Sequence, residues 1–248
     1  MDFCADLARR PRPENLCAGG GAVAGGAYCR RLDYHFRHHD FCAAGLLLSL
    51  LWRRSRVPAV AGLAVLAAYV VLQYAMLQQA IDFGERYAKS AGIAQARVTA
   101  MPRPVSPFNW MVVVENAEGY RYSHVNLIRK DLLPAGDNAG FIARLDAVYR
   151  PLDQAVWESN MRYGRGSQGS VVRAVFEHPE FEFFRWFSAY PALHRIDSEA
   201  ASLCIWFKDL RFLTPGRDGF PFIYGMCSEG AGPMRPYGLD GAARFPVY

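Results

Sequence analysis

Two groups of side chains in this sequence have the types that metal chemistry requires. The first is Cys17, Cys29, His35, His38, His39, Asp40 and Cys42, thiols and imidazoles of the kind that hold zinc. Their spacing contains no closely paired cysteines and matches no standard finger. They stand among glycine runs, and no lysine precedes Lys89. Residues 1–40 therefore read as an irregular leader, disordered or frame-shifted in a GC-rich gene, in preference to a zinc site or an ordinary tail. The run GGGAVAGG within it lacks the Lys and Ser/Thr that would hold phosphate and magnesium.

The second group is His178, His194 and Asp197, weak candidates for metal ligation. His194 and Asp197 are three apart, so they share a face on a helix and point to opposite faces on a strand. Their segment reads as a loop, which leaves that geometry open. His178 precedes Pro179 and has no ligand spacing signature. His124 falls on an expected strand and reads as an ordinary core or surface residue. Asp209 and Arg211, two apart on an expected strand, read as a local ion pair fixing a sheet edge. No Gly-x-Ser-x-Gly elbow is present, since residues 166–170 are GSQGS, so serine-hydrolase chemistry has no anchor. Cys204 and Cys227 sit on neighbouring expected strands. Either a disulfide or two buried thiols fits that placement, and a disulfide is permitted outside the cytoplasm.

The elements that must position these residues follow from hydropathy and charge. The 248-residue chain has 52% apolar and 21% charged residues, which excludes a disordered chain. Its net charge of +5 is concentrated: residues 1–56 hold nine Arg against five acids. A uniformly basic nucleic-acid surface is excluded by that distribution, and no nucleic-acid partner is expected. Residues 57–77, VPAVAGLAVLAAYVVLQYAML, carry no charge. As a helix they reach roughly 31 Å, close to the ~30 Å hydrocarbon core of a bilayer. Arg53, Arg54 and Arg56 stand immediately before them, which marks the cytoplasmic side. Residue 82 and all that follows are then extracytoplasmic. Residues 41–52, FCAAGLLLSLLW, are too short to span and read as a partial helix preceding an Arg-rich turn.

The expected fold class is α+β: one or two membrane helices (segment 41–78), an extracytoplasmic α+β domain with a small antiparallel sheet (79–229), and a loose Gly/Pro-rich tail (230–248). The membrane helix continues to about Gly92. Asn109–Val114 and Tyr120–Ile128 form a hairpin across the turn signal ENAEG. Helices follow at Asn138–Tyr149, capped by Asp137, and at Leu152–Met161. Gly164, Gly166 and Gly169 make a flexible loop. Val171–Glu177 and Glu180–Ser188 are helices broken at Pro179, and Ser202–Phe212 and Phe220–Cys227 are strands. In Ser202–Phe212 the odd-numbered residues, Leu203 to Arg211, take one face and the even-numbered ones the other. Phe183, Phe184, Trp186, Phe187 and Tyr190 crowd one segment, a core cluster by default and a membrane-surface belt as the alternative.

An ordered set of residues resembles a known family. A membrane helix with a central Tyr69 leads to Met101, Pro102 and Pro104. Pro107, Asn109 and Trp110 come next, before a Val-rich strand. Later come Trp186, Phe187 and Ser188, then Asp209, Leu210, Arg211 and Phe212. Over about residues 42–227 the chain resembles the C-terminal half of the bacterial inner-membrane metal-dependent hydrolases of the YdjM-like type. The resemblance implies a divalent metal such as zinc and a hydrolytic reaction. In the family, however, the metal is assigned to His-rich motifs of an N-terminal membrane half, and those motifs are not found here. The expectation is a membrane-anchored protein of the inner (plasma) membrane, truncated or frame-shifted before residue 42, with the lipid bilayer as its partner and no intact metal site. The alternative is a membrane-anchored extracytoplasmic binding module without catalysis.

Overall fold

The computed structural model describes residues 57–136, 139–199, 202–215, 221–230 and 232–247. The leader ligands, Arg53, Arg54, Arg56, the partial helix 41–52 and the expected cap Asp137 lie outside the described residues. Two compact units divide the chain at Val70/Val71. Of the first, the described part is the apolar start of α1, Val57–Ser90, a helix of 34 residues. This helix is long and apolar enough to cross a membrane, and only 6% of its most apolar window is buried.

The second unit is α+β, with two antiparallel meander sheets where one small sheet was expected. The first sheet has the order β1 (Arg97–Pro102), β2 (Asn109–Glu115), β3 (Gly119–Asn126), β4 (Glu158–Met161). The second has β5 (Pro191–Glu199), β6 (Ser202–Asp209), β7 (Ile223–Glu229), β8 (Arg235–Asp240), β9 (Ala243–Pro246). Among the described residues, the short helix α2 (Phe141–Ala147) falls between β3 and β4, and α3 (Gly166–Phe176) and α4 (Glu182–Phe187) fall between the two sheets in sequence.

Strand β2 is apolar without alternation because both its faces are covered. One face carries Trp110 and Val112, which pack with Ala100, Val125 and Leu127 against Met76, Leu77, Ala80, Ile81 and Phe83 of α1. The other carries Met111 and Val113, which pack with Tyr120, Tyr122, Ala192 and Leu210. Helix and sheet approach closely at Gly84, where a Cβ would stand 2.5 Å from Val98 Cγ1 and 2.8 Å from Val112 Cγ1. Glycine is the residue that permits that approach. In the second sheet, Ile205 and Phe207 join Phe176, Phe181, Phe184 and Met226. Cys204 and Trp206 face the other way, with Ile223, Cys227 and Leu239.

Several expectations are corrected. Leu152–Met161 is a 3-10 turn followed by β4, because the exposed edge of β3 recruits it. Tyr122 donates to Glu158 Oε2 at 2.9 Å, Asn160 Nδ2 donates to the Tyr122 hydroxyl at 3.1 Å, and Trp157 stacks 3.7 Å from Tyr87. The expected glycine loop is partly helix, since α3 begins at Gly166 with φ +65°. Residues 191–199, read as a loop, are β5. The tail expected to be loose forms β8 and β9, where Phe245 lies over Gly238, the directly paired position. Helix α2 covers Phe141–Ala147 with Gly140 at its N-cap position. Strand β6 ends at Asp209 and Leu210–Phe212 is a 3-10 turn, so Arg211 leaves the strand face assigned to it. The hairpin of β2 and β3 stands in the expected place, with Asn109 opposite Asn126 and Glu115 opposite Tyr120.

Candidate functional site

Three sequence motifs that are far apart in the chain meet around one buried carboxylate. Asp209 ends β6 with its side chain fully buried. Its Oδ2 accepts from Arg211 Nε at 2.7 Å and from the Ala189 amide at 2.9 Å. Its Oδ1 accepts from the Arg211 amide at 2.9 Å and from the Tyr190 amide at 3.4 Å. Arg211 in turn donates to the Phe187 carbonyl and lies over the Phe187 and Phe212 rings, 5.4 and 5.2 Å from their centroids. The segments 186–190 and 209–213 are thus tied together by one ion pair that also turns the chain.

Arg103 brings in the third motif, from the turn between β1 and β2. Its Nη1 donates to the Arg211 carbonyl at 2.7 Å and its Nη2 to the Leu213 carbonyl. Pro104 and Val105 follow it in the same turn, Val105 with φ +82°. Beside Arg103 lies His124 of β3, 7% exposed. Its ring meets Tyr122 and Tyr149 edge-on at 5.9 and 5.8 Å. His124 Nε2 and Arg103 Nε are buried without a hydrogen-bond partner among the described residues. Burial, with the Arg103 charge as a smaller cause, pulls the His124 pKa down to about 3. The imidazole is therefore neutral at neutral pH.

A second polar network joins α2 to the first sheet. Asn109 Nδ2 donates to Asp146 Oδ1 at 2.6 Å, and Asn126 Nδ2 donates to Asn109 Oδ1 at 2.7 Å. Arg129 Nη2 meets Asp146 Oδ2 at 2.7 Å. Asn126 Oδ1 takes the amides of Ile128 and Arg129 at 3.3 and 3.0 Å. Asn109 thus acts as a buried cross-link between elements, while Trp110 is wholly buried and donates from Nε1 to the Pro107 carbonyl at 3.1 Å.

The metal candidates are placed separately. His178 precedes the 3-10 turn at Pro179 and its Nδ1 accepts from the Glu180 amide at 3.3 Å, a capping role. His194 is at the β-bulge between Leu193 and Arg195 of β5, and burial lowers its pKa, with Lys208 and Arg195 adding to the effect. Asp197 accepts from Trp206 Nε1 at 2.8 Å and from Arg195 Nε at 3.1 Å. Among the described residues no three His, Cys, Asp or Glu side chains gather as a metal set. Of the aromatic cluster, Phe184 is core, whereas Trp186 is 73% exposed. The network's use of Arg103, Asn126, Arg129 and Asp146 was not anticipated from sequence. An arginine inside a proline-rich turn, beside the motif, was the available signal.

Cys204 and Cys227 occupy directly paired positions on β6 and β7 and form a disulfide. The bridge is 23 residues apart in sequence, so replacing both cysteines with alanine is expected to lower stability by about 3 kcal/mol. Chemical denaturation of the two purified proteins measures this. Recovery of both thiols by alkylation of the unreduced protein would remove the basis of the expectation.

Compared with known proteins, the chain matches no family model, no curated protein and no solved structure.

Proposed function

We propose that this chain is a membrane-anchored protein of the inner (plasma) membrane. Its α+β domain stands on the extracytoplasmic side and serves as the outer, binding and positioning part of a YdjM-like hydrolase architecture. The observation that carries the reading is the change of character along α1. Its first part is uncharged and exposed, and its later part packs on the first sheet. A soluble core helix would bury the apolar part; a helix that crosses a bilayer leaves it to lipid. The Cys204–Cys227 disulfide supports an oxidising compartment for the domain. Asp209 and Arg211 support a positioning role, since the hydrogen bonds of the pair run to each other and to backbone groups within the fold.

Paired C-terminal fusions test the placement. Alkaline phosphatase fused after Tyr248 is expected to be active, and green fluorescent protein at the same point dark. The reverse pattern would overturn the topology. Equal recovery of the chain in the soluble fraction after cell lysis would overturn the anchor. Metal analysis and a hydrolysis assay of the purified full chain address catalysis: zinc with hydrolytic turnover would move the reading from a binding module to an enzyme, and zinc without turnover to a zinc site on the leader residues.

A further inference from the structure

Packing of α1 on the first sheet sets which end of the domain is nearest the bilayer. Gln79 Nε2 donates to the Leu127 carbonyl at 3.2 Å, just past the apolar run that ends at Leu77. Further along the helix, the Tyr87 hydroxyl accepts from Arg121 Nη1 at 3.3 Å. From Gln79 to Tyr87 the helix rises about 12 Å. It therefore runs antiparallel to β3. The Leu127 end lies level with the exit of α1 from its apolar stretch, and the Gly119 end lies farther away. Since β1 and β2 pair Pro102 with Trp110, and β2 and β3 pair Trp110 with Val125, the β1–β2 turn is on the same near end.

That near end is the apolar one. Eleven large apolar side chains beyond α1 are exposed among the described residues, and six of them, Val105, Ile128, Leu132, Leu133, Phe141 and Ile142, belong to the β1–β2 turn, to the segment after β3 or to the first turn of α2. Phe141 and Ile142 are 66% and 60% exposed, and no residue of α2 is buried. Helix α2 is held to the near end through Asp146, which bonds Asn109 and Arg129. Lys130 and Arg144 are exposed in this region, and so is one carboxylate, Asp131, between Lys130 and Leu132. Apolar side chains flanked by long basic ones suit the headgroup boundary, where rings and aliphatic tips enter the acyl region and the cations remain among phosphates.

We infer that this rim, the β1–β2 turn together with residues 128–136 and 139–142, inserts into the outer leaflet of the same bilayer that α1 spans. The inference rests on the membrane reading given above. Continuity with α1 selects the bilayer as occupant, because the anchor holds the rim at that surface at every moment. The insertion fixes the tilt of the domain and adds interfacial contact to the α1 span.

Fluorescence of the full chain in vesicles of phosphatidylcholine and phosphatidylglycerol tests it. Cys4, Cys17, Cys29 and Cys42 are replaced with serine, and a nitrobenzoxadiazole label is placed in turn on Ile142→Cys, Leu133→Cys, Glu118→Cys and Tyr74→Cys. Shallow nitroxide lipids are expected to quench the Ile142, Leu133 and Tyr74 labels about twofold or more, and to leave the Glu118 label bright. A quenched Tyr74 label with Ile142 and Leu133 as bright as Glu118 would overturn the inference while leaving the anchor intact; it is also the result a rim reserved for a protein partner would give. Equal quenching of Glu118 and Ile142 would overturn it as well. An unquenched Tyr74 label would overturn the membrane reading itself.

Discussion

An Asp209→Ala protein is expected to lose about 3–5 kcal/mol of stability, because one partner of a buried ion pair is removed and the other is left uncompensated. Arg211 has a side chain only 13% exposed, and it would keep its charge with one acceptor fewer. The amides of Ala189, Tyr190 and Arg211 would lose their carboxylate at the same time. The turn that Arg103 reaches through the Arg211 and Leu213 carbonyls would loosen with them. Urea unfolding of the purified protein followed by intrinsic fluorescence measures the loss. Asp209→Asn retains the shape and part of the hydrogen bonding and is expected to fall between alanine and the parent. A change below about 1 kcal/mol for alanine, the range of an exposed pair, would show that this carboxylate does not organise the junction.

Acid is expected to act on the domain through His124. The imidazole titrates at about 3 in the native protein, against about 6.5 in an unfolded chain. Between those values the unfolded chain takes up a proton that the native state refuses. Stability therefore falls as pH falls, by about 1.4 kcal/mol per unit, beginning near pH 6.5 and ending near pH 3. Above pH 7 the group contributes no slope. His124→Phe keeps an aromatic ring between Tyr122 and Tyr149 and removes the proton. The difference in stability between parent and variant is expected to be constant above pH 7 and to change by about one factor of ten in the folding constant per pH unit below 6. Parallel curves at all pH values would mean that His124 is solvated in the native state.

Neither expectation could be placed from the chain alone. The residues Asp209, Arg211 and His124 were visible, but the contacts that tie each one into the fold come from segments 19 or more residues away. Asp209 takes the amides of Ala189 and Tyr190, and His124 meets Arg103 and Tyr149. Loop-separated pairings of this kind leave no periodic trace, because neither partner alters the local pattern around the other.

What could be read locally was what local physics controls. The apolar helix needs only its own composition, since backbone groups in an apolar setting must bond within the segment. The hairpin of β2 and β3 follows from two apolar runs around a turn, where Asn116 Oδ1 accepts the Glu118 and Gly119 amides at 3.1 and 3.0 Å. The two faces of β6 follow from strand alternation, which puts Ile205 and Phe207 in one cluster and Cys204 and Trp206 in another. Segments whose state depends on an edge elsewhere could not be read this way. Glu158–Met161 is a strand because β3 offers an unpaired edge, and Arg235–Asp240 is one because β7 does. Short stretches of mixed polarity carry too weak a local preference to choose, so long-range hydrogen bonding makes the choice. For the same reason the span of α1 was legible before any packing was known. Which edge of the domain faces the bilayer depended on the register of α1 against β3, from Gln79 at Leu127 to Tyr87 at Arg121.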